Sequence, residues 1–78
     1  PNPATRRAFV TVRLPAPSAV TAKVFDALGR RVAVLHDGAL GAGAHRFDLD
    51  VGGLAPGLYV VRSVWAGGAQ SHPFAVVR

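Results

Sequence analysis

Hydrophobic and polar residues alternate along most of this 78-residue chain, with a period of two residues. That period sends successive side chains to opposite faces of a β-strand, whereas a helix needs apolar residues three or four positions apart. We therefore predict an all-β protein. The predicted strands are Arg7–Leu14, Ala19–Asp26, Val32–His36, Ala44–Val51, Leu58–Trp65 and Ser71–Val77.

Turn-forming residues separate these segments at short and regular intervals. Such spacing between β-branched runs is typical of sandwiches and barrels. The predicted turns are Pro15–Ser18, Leu28–Arg31, Asp37–Gly43, Gly52–Gly57 and Ala66–Ala69.

The stretch Leu54–Tyr59 resembles the approach to a tyrosine corner, in which a tyrosine hydroxyl bonds to upstream backbone. The alternative is a core tyrosine whose hydroxyl meets water. The tyrosine corner favours an immunoglobulin-like antiparallel β-sandwich of six to seven short strands over a barrel.

The length of the chain is sufficient for one domain. Residues 1–5, which include Pro1, Asn2 and Pro3, are predicted to form an extended leading linker, because each proline biases its predecessor away from helix. Residues 6–78 are predicted to form the sandwich. Because the first residue is proline rather than methionine, we interpret the chain as a fragment of a longer polypeptide.

Composition and charge narrow the possible functions. The chain has no cysteine, so it has neither a disulfide framework nor a cysteine-based zinc site. No apolar run approaches the roughly 20 residues of a transmembrane helix. The net charge is +5, but the basic residues are dispersed, which indicates a solvated surface rather than a nucleic-acid interface. An anion-binding domain is a further alternative.

The residues needed for catalysis or metal binding are present, but not in the required patterns. No serine lies in a Gly-x-Ser-x-Gly context, and His45 falls on the apolar face of its predicted strand. Asp48 and Asp50 share a strand face, but no Asp-rich loop completes the roughly six to eight oxygens that Ca²⁺ requires. We predict a non-catalytic domain with no metal and no cofactor.

A carbohydrate-binding function is the principal alternative. Trp65 lies next to the Gly67-Gly68 turn and is the best candidate for an aromatic platform that contacts sugar, although one tryptophan is a weak platform and a core position is the favoured interpretation. Such a sandwich, or a passive spacer, would be appended to an extracellular glycoside hydrolase or another enzyme.

Five blocks of residues occur in an order that resembles a known family. They are Pro1-Asn2-Pro3, Val24–Val32, Leu40–His45, Leu54–Tyr59 with Arg62, and Phe74–Arg78. Together they resemble the type A C-terminal sorting domain of the type IX secretion system of Bacteroidetes-related bacteria. This immunoglobulin-like domain is related to that of the flagellar hook-capping proteins.

The resemblance implies a sorting module attached to an upstream cargo domain. An outer-membrane translocon would recognise it, and a sortase-like peptidase would remove it. The cargo would pass through the periplasm and outer membrane to become secreted or held at the cell surface. The final strand is expected at a free sheet edge that offers main-chain groups to a partner. The implied sorting-motif residues are Pro1, Asn2, Pro3, Asp26, Gly29, Arg30, Gly43, Leu54, Gly57, Tyr59, Arg62, Phe74, Val76, Val77 and Arg78.

Overall fold

Six antiparallel strands form two sheets in the computed structural model, which describes residues 7–77. One sheet pairs β1 with β4, and the other has the order β3-β2-β5-β6. This arrangement confirms the predicted all-β sandwich. The strands are β1 (Arg7–Leu14), β2 (Ser18–Asp26), β3 (Arg31–Leu40), β4 (Gly43–Asp50), β5 (Gly57–Trp65) and β6 (Gly68–Val76). The described part of the chain has no helix capable of crossing a bilayer.

The core lies between the two sheets and follows the predicted alternation. β1 turns Val10, Val12 and Leu14 inward, while its intervening residues face solvent. The inward faces of the strands supply a thin core of mostly branched side chains. The buried apolar residues are Val10, Val12, Leu14, Val20, Ala22, Val24, Phe47, Leu49, Tyr59, Val61 and Val76.

β3 is longer than its sequence predicts. The prediction ended the strand at His36 and placed a turn from Asp37, but the strand continues to Leu40. Asp37 pairs with Thr21, and two register shifts accommodate extra residues in the ladder between β2 and β3. The turn prediction was wrong here because pairing with β2, which is the only partner of β3 among residues 7–77, holds Asp37 to Leu40 in a strand.

β6 also begins earlier than predicted, at Gly68 rather than Ser71. The connection from β5 uses only Ala66 and Gly67, and Trp65 pairs directly with Gly68. A two-residue turn lets β6 begin directly where β5 ends. Gly68, which was predicted to lie in a longer turn, therefore belongs to the ladder. β5 lies between β2 and β6, as its apolar sequence predicted.

Candidate functional site

Three of the predicted motif blocks meet at one end of the sandwich. Tyr59 is opposite Asp26 in the ladder between β2 and β5, and opposite Phe74 in the ladder between β5 and β6. The turn after β2, the loop before β5 and the last residues of β6 are therefore neighbours. We call this region, residues 26–30, 54–59 and 74–77, the motif end.

The turn at the motif end is closed by Asp26. Its Oδ1 accepts hydrogen bonds from the backbone N–H groups of Leu28 and Arg30, each at 2.9 Å, and its Oδ2 accepts one from Arg30 Nε at 2.8 Å. The Arg30 backbone bond is the largest influence that lowers the pKa of the Asp26 carboxyl, and the side chain of Arg30 adds to it. Gly29 adopts a φ of +81°, which only glycine reaches at little cost.

The loop before β5 is held by a tyrosine corner, which is one of the two alternatives that the sequence left open. The Tyr59 hydroxyl donates to the Ala55 carbonyl oxygen at 2.5 Å, and the tyrosine ring stacks on Phe74 with centroids 5.4 Å apart. Leu54 N–H also donates to Val51 O at 3.1 Å. These contacts fix the position of the loop that leads into β5.

Large apolar side chains at the motif end face solvent. Leu28 is 78% exposed, Leu58 67% and Val77 73%. A shallow hollow of about 200 Å³ lies among Leu28, Leu58 and Pro56. The Arg30 side chain, 72% exposed, borders this hollow. Exposed apolar side chains beside an accessible cation are characteristic of a protein interaction surface.

Other predicted site residues lie elsewhere. Gly43 starts β4 at the opposite end of the sandwich. Arg62 is exposed on the outer face of β5, where its Nη1 approaches Ser71 Oγ at 3.4 Å. Pro1, Asn2, Pro3 and Arg78 lie outside the described residues. The structure brings together Asp26, Gly29, Arg30, Leu54, Gly57, Tyr59, Phe74, Val76 and Val77.

Trp65 also lies at the end of the sandwich opposite the motif end. It is partly buried and packs against the core. Its indole lies over its own hairpin, since a Cβ added at Gly68 would come within 3.4 Å of Trp65 Cζ2. A ring that is partly covered in this way provides little open surface for a sugar, so the geometry does not favour the carbohydrate-binding alternative.

The histidine and aspartate side chains have local structural contacts. His45 is half-buried on the inward face of β4, as predicted, and its Nε2 lies 2.6 Å from Gly41 O. Asp48 faces outward and accepts a hydrogen bond from Arg46 Nε at 2.9 Å. Within residues 7–77, no three such side chains are grouped to hold a metal ion.

The edge of β6 was predictable from the sequence only in part. Among residues 7–77, β6 pairs with β5 alone, so the final strand lies at a sheet edge as predicted. Trp65 and Gly68 close a two-residue turn and so form a hydrogen-bonded pair. Hydrogen-bonded and non-hydrogen-bonded pairs alternate along an antiparallel ladder. Counting from the pair of Trp65 and Gly68, Ser71, Pro73 and Ala75 are in non-hydrogen-bonded pairs, so their main-chain groups point away from β5. Pro73 fits this position because it has no N–H, and a proline within a strand was the signal for an edge.

Comparison with known proteins identifies the family. A family model described as a secretion system C-terminal sorting domain matches residues 1–74. The chain matches no curated protein and no solved structure. The matched family is a non-catalytic sorting signal of the type IX secretion system, which directs proteins through the outer membrane to the cell surface or the medium. With nearly all of its length matched, this chain belongs to the family of secretion-system C-terminal sorting domains.

Proposed function

We propose that the translocon of the type IX system recognises the motif end together with the edge of β6 that has no partner strand among residues 7–77. The observation that carries the proposal is the alignment of Asp26, Tyr59 and Phe74 across three neighbouring strands. It unites motif blocks that are distant in sequence in a single exposed surface. The outer-membrane translocon contacts this surface while the upstream cargo domain remains covalently attached.

The motif end is suited to recognition because its exposed side chains are carried by well-braced backbone. Asp26 holds the turn that carries Leu28, and the tyrosine corner holds the loop that leads into Leu58. Burying a leucine side chain contributes about 1.5–3 kcal/mol. Leu28 and Leu58 together therefore supply a substantial part of the binding free energy, and the Arg30 guanidinium adds directional hydrogen bonds.

The domain acts as an address for its cargo and takes no part in the cargo's own activity. After export, a sortase-like peptidase cleaves the connection between the cargo and the sandwich. The cargo is then released or retained at the cell surface. Because recognition and cargo activity reside in separate domains, a defective sorting domain leaves an active cargo on the wrong side of the outer membrane.

An export assay tests this proposal. The chain is fused behind a reporter enzyme in a bacterium with a working type IX system, and the reporter is measured in periplasm and medium. We expect the double variant L28S/L58S to retain an active reporter in the periplasm. V64S is the matched control, because Val64 is also an exposed apolar residue but lies towards the opposite end of β5.

A second variant tests the edge of β6. Removal of residues 74–78 takes away the last part of that edge, and we expect export to stop while reporter activity is unchanged. Normal export of L28S/L58S would reject the motif end as the recognised surface. Normal export of the truncated chain would reject the role of the final strand. Circular dichroism of the purified variants checks that each retains its sheet structure.

A further inference from the structure

An apolar cleft opens between the two sheets on the side of β1 and β6. Ala8, Phe9 and Val10 line it from β1, and residues 72–74 line it from β6. Its volume is about 140 Å³. We call it the lateral cleft.

The lateral cleft exists because the two sheets are unequal in width. Among residues 7–77, β1 pairs only with β4, so two strands cover a sheet of four. The two unpaired edges lie on the same side of the sandwich, since Gln70 Nε2 on β6 donates to Thr11 O on β1 at 3.0 Å. This hydrogen bond lies at the end of the cleft nearer Trp65. The cleft lies beside the edge of β6, and a strand added to that edge would cover it.

We propose that an extended strand of the translocon adds to the edge of β6 and places one apolar side chain in the lateral cleft. This inference rests on the proposed function and specifies the chemistry of the partner. An apolar protein cavity of about 150 Å³ accommodates benzene. The lateral cleft therefore has room for one aromatic ring or one branched aliphatic side chain, and it is smaller than the roughly 300 Å³ of the smallest usual ligand pockets.

The main-chain groups at the edge of β6 determine how a strand can pair. Ser71 and Ala75 each direct an N–H and a C=O away from β5, whereas Pro73 directs only a C=O. An added strand therefore exchanges hydrogen bonds with Ser71 and Ala75 and lacks one donor between them. Its inward side chains would lie beside His72 and Phe74, which are the residues that line the cleft.

The charges near this edge indicate what the outward side chains of the partner carry. The Arg62 guanidinium extends across the outer face to Ser71 at the edge. Within residues 7–77, the ion pairs are Arg30 with Asp26 and Arg46 with Asp48, so Arg62 has no carboxylate partner there. The fitting partner strand alternates apolar and acidic residues.

Peptide binding to the whole chain tests the inference. The probe is a short synthetic peptide in which leucine or phenylalanine alternates with glutamate, and a version with lysine in place of glutamate is its control. Binding is measured by isothermal titration and by NMR shift changes. We expect the acidic peptide to bind and to shift the amide signals of Ser71, Ala75 and Ala8. The lysine peptide should bind at least tenfold more weakly.

Three variants separate the contributions. A8L fills the lateral cleft and should lower the affinity at least tenfold, while A44L, an alanine exposed on β4, should leave it unchanged. A75P removes an edge N–H and should also abolish binding. If A8L fails to fold, A75P still tests the proposal, because Ala75 is exposed and its N–H does not bond to β5. R62E should invert the preference between the acidic and basic peptides.

Several results would overturn this inference while leaving the proposed function intact. One is a domain whose export requires Leu28 and Leu58 but which binds neither peptide. Another is peptide binding whose affinity A8L leaves unchanged. Another is normal export of A8L despite lost peptide binding. Deletion of residues 1–6 that raises the peptide affinity would identify the chain's own leading segment as the occupant. Self-association of the wild-type chain that A8L abolishes would identify a second copy.

Discussion

Asp26 and Tyr59 are directly opposite each other in the ladder between β2 and β5, although they are far apart along the chain. Asp26 closes the turn at the end of β2, and Tyr59 secures the loop at the start of β5. One pair of facing residues thus braces both connections at the motif end. The surface proposed for translocon recognition depends on this pairing rather than on either turn alone.

The hydroxyl of Tyr59 is expected to stabilise the fold. Y59F removes the hydrogen bond to Ala55 O but keeps the ring that stacks on Phe74, so we expect the free energy of unfolding to fall by about 1 kcal/mol. Y59L removes the stacking as well and should cost more. Urea denaturation measures both changes. A Y59F domain as stable as the wild type would show that the tyrosine corner contributes nothing to stability.

Asp26 makes the stability of the domain depend on pH in acid. Its pKa is lowered in the folded chain from its ordinary value of 3.8. Ionised Asp26 therefore stabilises the fold above that value, and this contribution is lost as the pH falls through the folded-state pKa. D26N keeps an oxygen acceptor but loses the charge. We expect its urea midpoint to lie below that of the wild type near neutral pH and to converge with it below pH 3.8. A gap that stays constant with pH would contradict the prediction.

The hydroxyl of Ser63 is expected to destabilise the core. Ser63 is fully buried on β5, and its Oγ has no hydrogen-bond partner among residues 7–77. S63A removes an unsatisfied polar atom and should raise the free energy of unfolding by about 1 kcal/mol. The matched control is V24T, which adds a hydroxyl at another fully buried position, one that faces Val61 across the ladder. V24T should lower stability by about 2 kcal/mol. A clear loss of stability in S63A would reveal a hidden partner.

Pro73 is expected to limit unwanted pairing at the edge of β6. P73A restores an N–H that points away from β5, so the edge becomes a continuous row of donors and acceptors. We expect the purified variant to self-associate at lower concentration than the wild type, as measured by sedimentation velocity. P15A is the control, because Pro15 lies in the turn after β1, at the end of the sandwich opposite the motif end. It should self-associate at the same concentration as the wild type. Unchanged association of P73A would contradict the assigned orientation of this edge.

Much of the local structure could be predicted because it depends on residues that are close in sequence. The alternation in β1 correctly separated Val10 and Val12 from the outward residues, and Gly29 correctly marked a turn. The end of β3 could not be predicted in this way. Asp37 and Gly38 favour turns locally, but pairing with β2 at a sheet edge holds them in a strand.

The predicted motif residues were individually recognisable in the sequence, but their grouping was not. Arg62 could not be assigned to a face because β5 is apolar on both sides, and the register with Lys23 and Ser71 decided it. The exposure of Leu58 likewise follows from its outward position in β5 beside a sheet edge. The lateral cleft depends on the unequal width of the two sheets.

The amino-acid sequence alone determined that the chain forms β-strands, which side chains of β1, β2 and β4 face the core, and that a turn follows β2 at Gly29. Only the tertiary structure decided the strand order, the meeting of Asp26, Tyr59 and Phe74, and the two edges beside the cleft that have no partner strand among residues 7–77. The physical reason is that alternation is a property of each strand by itself. Strand order, in contrast, depends on the combined packing and hydrogen bonding of residues that are distant along the chain.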